Sequence, residues 1–243
     1  MSLLSRAAVA AVVGVVMTAA AAVRLRATLS LGDGYSILAG GTFLVMAAVA
    51  LAGIARDHPY ARVGAANLIT GTRGMLTSLV AATLIEVPSE ALAWALVTLA
   101  MAAVALDGAD GWAARRQGLA GPFGARFDME VDAFLILALS ALVWRFDKAG
   151  AWVLASGLMR YAFVGAGVVW PWFDRPLPVS WRRQAVCVVQ IAGLVAALAP
   201  IVPHPLSAGV AAVSLSALTW SFWLDVHWLL LRRHSLPFAS GYD

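Results

Sequence analysis

The chain has 243 residues, of which 62% are hydrophobic and only 12% are charged, and its mean hydropathy is +0.84. A soluble domain carries about 25% charged residues and cannot hide so much apolar surface, so soluble enzymes and disordered proteins are excluded. The single cysteine, Cys187, excludes an internal disulfide and any multi-cysteine metal site. The net charge of +4 fits basic loops that face anionic lipid, and we expect no nucleic-acid partner.

Eight apolar runs approach or reach the roughly 20 residues that cross a bilayer as a helix. Each run is apolar on all sides, and the alternating pattern of a transmembrane barrel is absent. The sequence therefore predicts an all-α fold, a polytopic membrane helical bundle of about eight transmembrane helices. The predicted spans are 7–23, 36–55, 67–84, 91–106, 127–144, 150–170, 184–200 and 207–231. The first of them is also compatible with a cleaved signal peptide.

The positions of Lys and Arg predict the orientation, because cytoplasmic loops collect these residues. One side carries Arg6, Arg56, Arg62, Arg115, Arg116, Arg126, Arg175, Arg182, Arg183, Arg232 and Arg233. The other side carries only Arg24, Arg26, Arg145 and Lys148. We therefore expect a multi-pass protein of the bacterial plasma membrane, with both termini and the 107–127 loop in the cytoplasm. Glu86 and Glu90 fall on the far side, where we expect them to be solvated.

Four aspartates lie within one stretch of the chain, 107–132. The first group shares one helical face at spacings of three, four and seven residues: Asp107, Asp110, Gly111 and Ala114. The second group repeats every four residues on the next helix: Gly124, Asp128 and Asp132. We expect the two faces to meet as an antiparallel pair of helices at the cytoplasmic membrane surface.

Carboxylates held this close together repel each other and resist ionisation unless a cation neutralises them. Hard oxygen ligands suit Mg²⁺, Mn²⁺ or Ca²⁺, and Mg²⁺ commonly bridges carboxylates to substrate phosphates. The small residues Gly111, Ala114 and Gly124 leave room for a bulky group beside the acids. Arg115 can bind a phosphate through paired hydrogen bonds. Together these residues predict a metal-dependent site for a nucleotide diphosphate.

The complete pattern is Asp107-x-x-Asp110-Gly111-x-x-Ala114-Arg115, eight residues, and then Gly124-x-x-x-Asp128-x-x-x-Asp132. It resembles the signature of the CDP-alcohol phosphotransferases, also called CDP-alcohol phosphatidyltransferases, at every fixed position. The family core has six transmembrane helices, with this motif at the end of the second and the start of the third. The resemblance implies two additional N-terminal helices in 1–57, the six-helix core in 58–234 and a short cytoplasmic tail in 235–243.

The resemblance also implies a reaction and roles for individual residues. A CDP-alcohol, commonly CDP-diacylglycerol, would donate its phospho-alcohol group to the hydroxyl of a small alcohol and release CMP, a transferase step of phospholipid biosynthesis. Two Mg²⁺ (or Mn²⁺) ions would be held by Asp107, Asp110, Asp128 and Asp132. Asp132 would also accept the proton of the acceptor as the catalytic base. The nucleotide would be bound by Gly111, Ala114, Arg115 and Gly124.

A second, weaker match concerns the start of the third span. The segment from Asn67 through Thr70 to Arg73 resembles the opening of the first core helix of the family, which implies that these three residues bind the nucleotide. Relatives are often homodimers, a property that nothing in this sequence tests.

Three further arginines lie in or beside the later spans. Arg160 falls near the middle of the sixth span, where a charge is costly and usually has a partner, and Arg182 and Arg183 begin the seventh. They predict binding of a phosphorylated acceptor such as glycerol phosphate or inositol phosphate. The alternatives are a structural partner for Arg160 and positive-inside anchoring for the other two. We expect Asp225 to cap a helix or to pair with a basic residue. We expect Cys187 to be an ordinary small residue of the core.

Two other classes of protein stay open at this point. An intramembrane prenyltransferase also binds Mg²⁺ and a diphosphate through aspartates, but it relies on Asn/Asp-rich pairs and releases pyrophosphate rather than CMP. A transporter or ion channel would use the acids as an ion site, but its acids would spread through the bilayer instead of clustering at one face.

Overall fold

The structure, a computed structural model, describes residues 3–57, 65–117, 122–173, 175, 177, 178 and 180–232. The side chains of 56, 57, 65–67, 109–117, 122, 123 and 171 lie outside that description. Its described residues form eight α-helices and no strand, so the predicted all-α fold is confirmed. The helices are α1 (Leu3–Leu29), α2 (Gly34–Asp57), α3 (Ala65–Ala82), α4 (Glu90–Gln117), α5 (Pro122–Arg145), α6 (Ala155–Val169), α7 (Trp181–Leu198) and α8 (Leu206–Arg232).

Six helical stretches are long and apolar enough to cross a membrane. They are Leu3–Leu29, Gly34–Ala55, Leu68–Ile85, Glu90–Gly108, Ala151–Val169 and Leu206–Arg232. The helices α5 and α7 are not among them, because α5 carries three acids within residues 128–132 and α7 begins with Trp181-Arg182-Arg183. The predicted number of helices is therefore confirmed, and the protein is a multi-pass integral membrane protein. Six of its eight described helices are apolar enough to span the bilayer by composition alone.

Four helices, α3, α4, α7 and α5, form the centre of the bundle. In the described part of the chain, α3 packs on α4, α4 on α7, α7 on α5, and α5 on α3, which closes a ring. Their shared core includes Val80, Leu96, Leu139 and Leu194, all fully buried. In the described residues α3 and α7 pack between α4 and α5. The acid-bearing faces of α4 and α5 nevertheless meet as expected, since one oxygen of Asp107 lies within 4.8 Å of oxygens of Asp128 and Asp132.

The remaining helices surround this ring. The pair formed by α1 and α2 packs on α3, α6 packs on α5, and α8 packs on α7. Tyr35 of α2 is fully buried and donates a hydrogen bond from its hydroxyl to the carbonyl of Leu79 on α3. The outward faces expose large apolar side chains such as Val16, Ile37 and Val168, as expected of helices surrounded by lipid.

Hydrogen bonds join the connections at one end of the bundle, here called the loop end (residues 30–33, 86–89, 146–150 and 199–205). The amide of Gly32 donates to a carboxylate oxygen of Glu86 over 2.9 Å, and Arg145 donates to the carbonyl of Glu86 over 2.9 Å. Lys148 donates to two carbonyls of the connection between α7 and α8, over 2.7 and 3.1 Å. The expected solvation of Glu86 is therefore wrong, because this side chain is buried, whereas Glu90 is exposed as expected.

The contact between α5 and α6 depends on a glycine and gives a first prediction. A Cβ on Gly157 would overlap the backbone and side chain of Leu137, whereas one on Gly165 of the same helix would meet nothing within 4 Å. We expect Gly157→Ala to cost about 1–3 kcal/mol through overpacking. The matched Gly165→Ala change should be neutral or stabilising, since alanine is favoured in helices by up to about 1 kcal/mol. Thermal unfolding in detergent measures both, and equal midpoints would contradict the packing.

Candidate active site

Three carboxylates converge at the end of the bundle opposite the loop end, here called the acidic end. Asp107 comes from the last turns of α4, and Asp128 and Asp132 come from the first turns of α5. One oxygen of each lies within 4.8 Å of the others. The three side chains are partly buried, and Asp132 is the least exposed of them at 16%. The side chain of Asp110, the fourth predicted ligand, lies outside the described residues.

Arg73 of α3 contacts all three carboxylates. Its side chain is 1% exposed, and its Nη1 lies 2.8 Å from an oxygen of Asp107. The same guanidinium forms ion pairs with Asp128 through Nη1 and with Asp132 through Nη2. A buried arginine is stable in a membrane bundle only with partners of this kind. One side chain thus joins α3, α4 and α5 at the acidic end.

The fourth helix of the ring, α7, contributes Cys187. Its thiol donates a hydrogen bond to Asp132 Oδ2 over 3.6 Å. Asp132 is therefore contacted from two sides, by Arg73 and by Cys187. Cys187 also packs against the hydrophobic core, as expected from the sequence. The sequence does not indicate this contact with Asp132. Helical spacing shows only that Cys187 shares one face of α7 with Arg183 and the buried Gln190.

These residues suit a divalent cation by their chemistry and by their spacing. Carboxylate oxygens are the ligands that Mg²⁺ and Mn²⁺ prefer, and ligands about 2.1 Å from one ion lie at most about 4.2 Å apart. The separation observed, within 4.8 Å, is close to that limit. The guanidinium of Arg73 lies against the same oxygens, so the site already accommodates positive charge.

The predicted nucleotide residues lie on α3, α4 and α5, the helices that carry Arg73 and the acids. Thr70 is buried on α3, one turn before Arg73, and Gly124 lies half-buried in the first turn of α5. The other four belong to α3 and α4, with side chains outside the described residues: Asn67, Gly111, Ala114 and Arg115.

The three predicted acceptor arginines pair with other acids. Arg160 Nη2 lies 2.5 Å from Glu130 Oε1, which links α6 to α5. Arg182 Nη2 lies 2.5 Å and Arg183 Nη1 3.4 Å from Asp225 Oδ1, which links α7 to α8. Asp225 therefore has the pairing role that the sequence allowed. The predicted residues thus divide into two sets: the described aspartates with Arg73, and the three arginines, of which Arg160 pairs with Glu130 and the other two pair with Asp225.

Arg73→Gln tests whether Arg73 and the three carboxylates around it, here called the centre, stabilise the bundle. The change removes the counter-charge of three partly buried carboxylates, and losing one partner of a buried pair costs about 3 kcal/mol or more. We expect the midpoint of thermal unfolding in a chelator to fall by roughly 6–12 °C, at about 2–4 °C per kcal/mol. Added Mg²⁺ should raise the midpoint of the variant more than that of the wild type, because it replaces the lost positive charge.

The matched control is Arg26→Gln at the loop end. Arg26 pairs with Asp33 on the surface, where side-chain exposures are 42% and 90%, and exposed pairs contribute at most about 1 kcal/mol. Equal losses in the two variants, or an equal response to Mg²⁺ in Arg73→Gln and wild type, would contradict this account of the centre.

Comparison with known proteins identifies the family to which the chain belongs. The family model described as CDP-alcohol phosphatidyltransferase matches residues 63–228, which is more than half of the chain and includes the whole 107–132 motif. No curated protein and no solved structure matched the chain. The family model confirms the resemblance that the aspartate pattern carries. This membrane bundle of eight described helices, with its carboxylates gathered around Arg73, belongs to the CDP-alcohol phosphatidyltransferase family.

Proposed function

We propose that the protein transfers a phosphatidyl group from CDP-diacylglycerol to the hydroxyl of a small alcohol and releases CMP, as a step of phospholipid biosynthesis. Family membership supports a transferase that acts on a CDP-alcohol; the diacyl donor, the acceptor and the pathway are our proposal. The observation that carries it is the convergence of Asp107, Asp128 and Asp132 within 4.8 Å. The bias of Lys and Arg further supports an acidic end that faces the cytoplasm of a bacterial plasma membrane.

The donor half of the site would require divalent cations. Mg²⁺ or Mn²⁺, as two ions, would neutralise the diphosphate and align it for displacement. The ions would be held by Asp107, Asp110, Asp128 and Asp132. The CDP group would lie against the residues proposed from the family motif: Asn67, Thr70, Gly111, Ala114, Arg115 and Gly124.

Asp132 is the residue best arranged to act as a base. Arg73 contacts one of its carboxylate oxygens and Cys187 the other, so both neighbours orient the group. We propose that Asp132 accepts the proton of the acceptor hydroxyl. The acceptor oxygen then forms a bond to the phosphorus of the phosphatidyl group, while the bond from that phosphorus to the oxygen of CMP breaks. Arg73 would stabilise negative charge on the phosphoryl oxygens.

The acceptor half would use the second set of residues. Arg160, Arg182 and Arg183 are each about 30% exposed, so an anion can reach them. Their acidic partners, Glu130 and Asp225, hold the guanidinium groups in place. We propose that they recognise a phosphorylated acceptor, glycerol phosphate or inositol phosphate.

Asp128→Asn tests the reaction. The substitution keeps the shape of the side chain but removes its negative charge. The carboxylate of Asp128 pairs with Arg73 and contributes one oxygen to the cluster. We expect transfer from CDP-diacylglycerol, measured as Mg²⁺-dependent CMP release by purified protein, to fall by at least about 100-fold. The control is Asp147→Asn at the far end of α5, an exposed turn residue whose positive φ of 52° asparagine tolerates.

The products decide between the alternatives. Release of pyrophosphate in place of CMP would favour a prenyltransferase. Ion flux without turnover of any CDP-alcohol would favour a transporter.

Arg183→Gln tests the acceptor. A hydrogen bond to a charged group contributes about 1.5–3 kcal/mol, so the KM for a phosphorylated acceptor should rise by about 10–100-fold. The KM for CDP-diacylglycerol and the melting temperature should stay close to wild type. Arg175→Gln serves as the control. Arg175 also forms a hydrogen bond, to the carbonyl of Arg232 over 2.5 Å, but it is not one of the arginines proposed to bind the acceptor. A loss of stability with no change in the acceptor KM would assign Arg183 a purely structural role.

A further inference from the structure

A cavity of about 470 Å³ lies between α2, α5 and α6, and the three clustered aspartates do not line it. Its size falls within the range of roughly 300–1,000 Å³ that is usual for ligand pockets. The walls are mainly apolar, with Val45, Met46 and Val49 from α2 and Val131 and Phe134 from α5. The family model begins at residue 63, after α2, so one wall of the cavity lies outside the matched region.

The polarity of this cavity changes along its length. Arg126 and Glu130 line it in the first turns of α5, near the acidic end, and Phe134 lines it about one turn further along the helix. Glu130 also forms an ion pair with Arg160 of α6, so the end of the cavity nearest the acidic end is polar. A polar end beside an apolar interior is complementary to an amphiphile, whose polar head lies towards the acidic end and whose hydrocarbon fills the cavity.

The cavity and the carboxylates share α5 as a common wall. Phe127 and Val131 line the cavity, and each is followed directly in sequence by an aspartate of the acidic end. Successive helical residues point about 100° apart at nearly the same height. The cavity and the acids therefore occupy neighbouring faces of α5 at the same depth.

Met46 lines the cavity and also contacts α3. Its sulfur accepts a hydrogen bond from Ser78 over 3.6 Å. Its methyl carbon lies 3.4 Å from the position of a Cβ built on Gly74, the residue that follows Arg73. One lipid molecule can therefore contact the centre around Arg73 with its head and the cavity with its tail.

We propose that this cavity binds one acyl chain of the CDP-diacylglycerol donor, and that α2 supplies the wall. The inference rests on the proposed function for the identity of the donor. An acyl chain is the occupant that the surroundings favour, because the residues of α2 that line the cavity belong to a membrane-spanning stretch, Gly34–Ala55. The additional N-terminal helices would thus take part in substrate binding.

Ala50→Trp tests the subsite by filling it. Ala50 lines the cavity, whereas Ala48 of the same helix is exposed and does not line it, so Ala48→Trp is the matched control. We expect Ala50→Trp to raise the KM for a donor with 18-carbon chains about tenfold, the equivalent of losing the burial of about two methylene groups. The KM for a donor with eight-carbon chains and the kcat should change less than about twofold. Equal effects on both donors, or in both variants, would overturn the proposal.

A second measurement on wild-type protein requires neither turnover nor a folded variant. CDP-diacylglycerol with a photoreactive diazirine near the end of one chain should label peptides of α2 within residues 42–53. Unlabelled CDP-diacylglycerol should compete, and CDP alone should not. A phosphatidylcholine with the same diazirine is the reference for bulk lipid.

The possible outcomes separate this inference from the proposed reaction. Equal labelling by both probes without competition, or no labelling of α2, would overturn the acyl-chain subsite. Competed labelling of α2 together with no transfer to any acceptor would support the subsite and overturn the proposed reaction.

Discussion

The contact between Arg73 and three aspartates is the interaction on which the acidic end depends. Apolar helices in lipid gain little from the hydrophobic effect when they associate, so packing and polar contacts set their positions. Arg73 is almost fully buried and forms ion pairs with α4 and α5 at once. Any rotation or axial shift of α3 would leave a buried charge without partners, at high cost. The interaction that assembles the candidate site therefore also fixes the register of three helices.

The two ends of the bundle use polar groups differently. At the loop end, Arg145 and Lys148 donate to backbone carbonyls, and Glu86 accepts from a backbone amide, so the connections are joined through main-chain groups. At the acidic end the charged side chains pair mainly with each other, and Arg182 also donates to the carbonyl of Ser221. The acidic side chains of the centre and Arg182 and Arg183 lie largely on α5 and α7, the two helices least suited to lipid. The groups proposed to bind ligands therefore lie at the end of the bundle where Arg73 also holds three helices together.

Much of this could be predicted from the sequence. Long apolar runs identify the helices, and the aspartate spacing identifies three carboxylates that do meet. The ring arrangement could not be predicted, because helices that are apolar on all sides have no apolar stripe to indicate which helix they pack against. The contacts of Cys187 with Asp132 and of Glu86 with Gly32 could not be predicted for the same reason, because each pair is more than fifty residues apart in sequence. Helical periodicity shows which residues share a face, not which helix that face contacts.

The charges at the acidic end explain why more than one cation is proposed for it. With Asp110 included, the four aspartates proposed as metal ligands and Arg73 would leave three negative charges, more than a single divalent ion would neutralise. The diphosphate of a bound donor would add two more, because each of its phosphates carries one ionised oxygen. A second divalent ion would therefore be required to keep the loaded site near neutrality in surroundings where uncompensated charge is costly. Arg73 alone cannot meet this demand, because its single charge is already shared among three carboxylates.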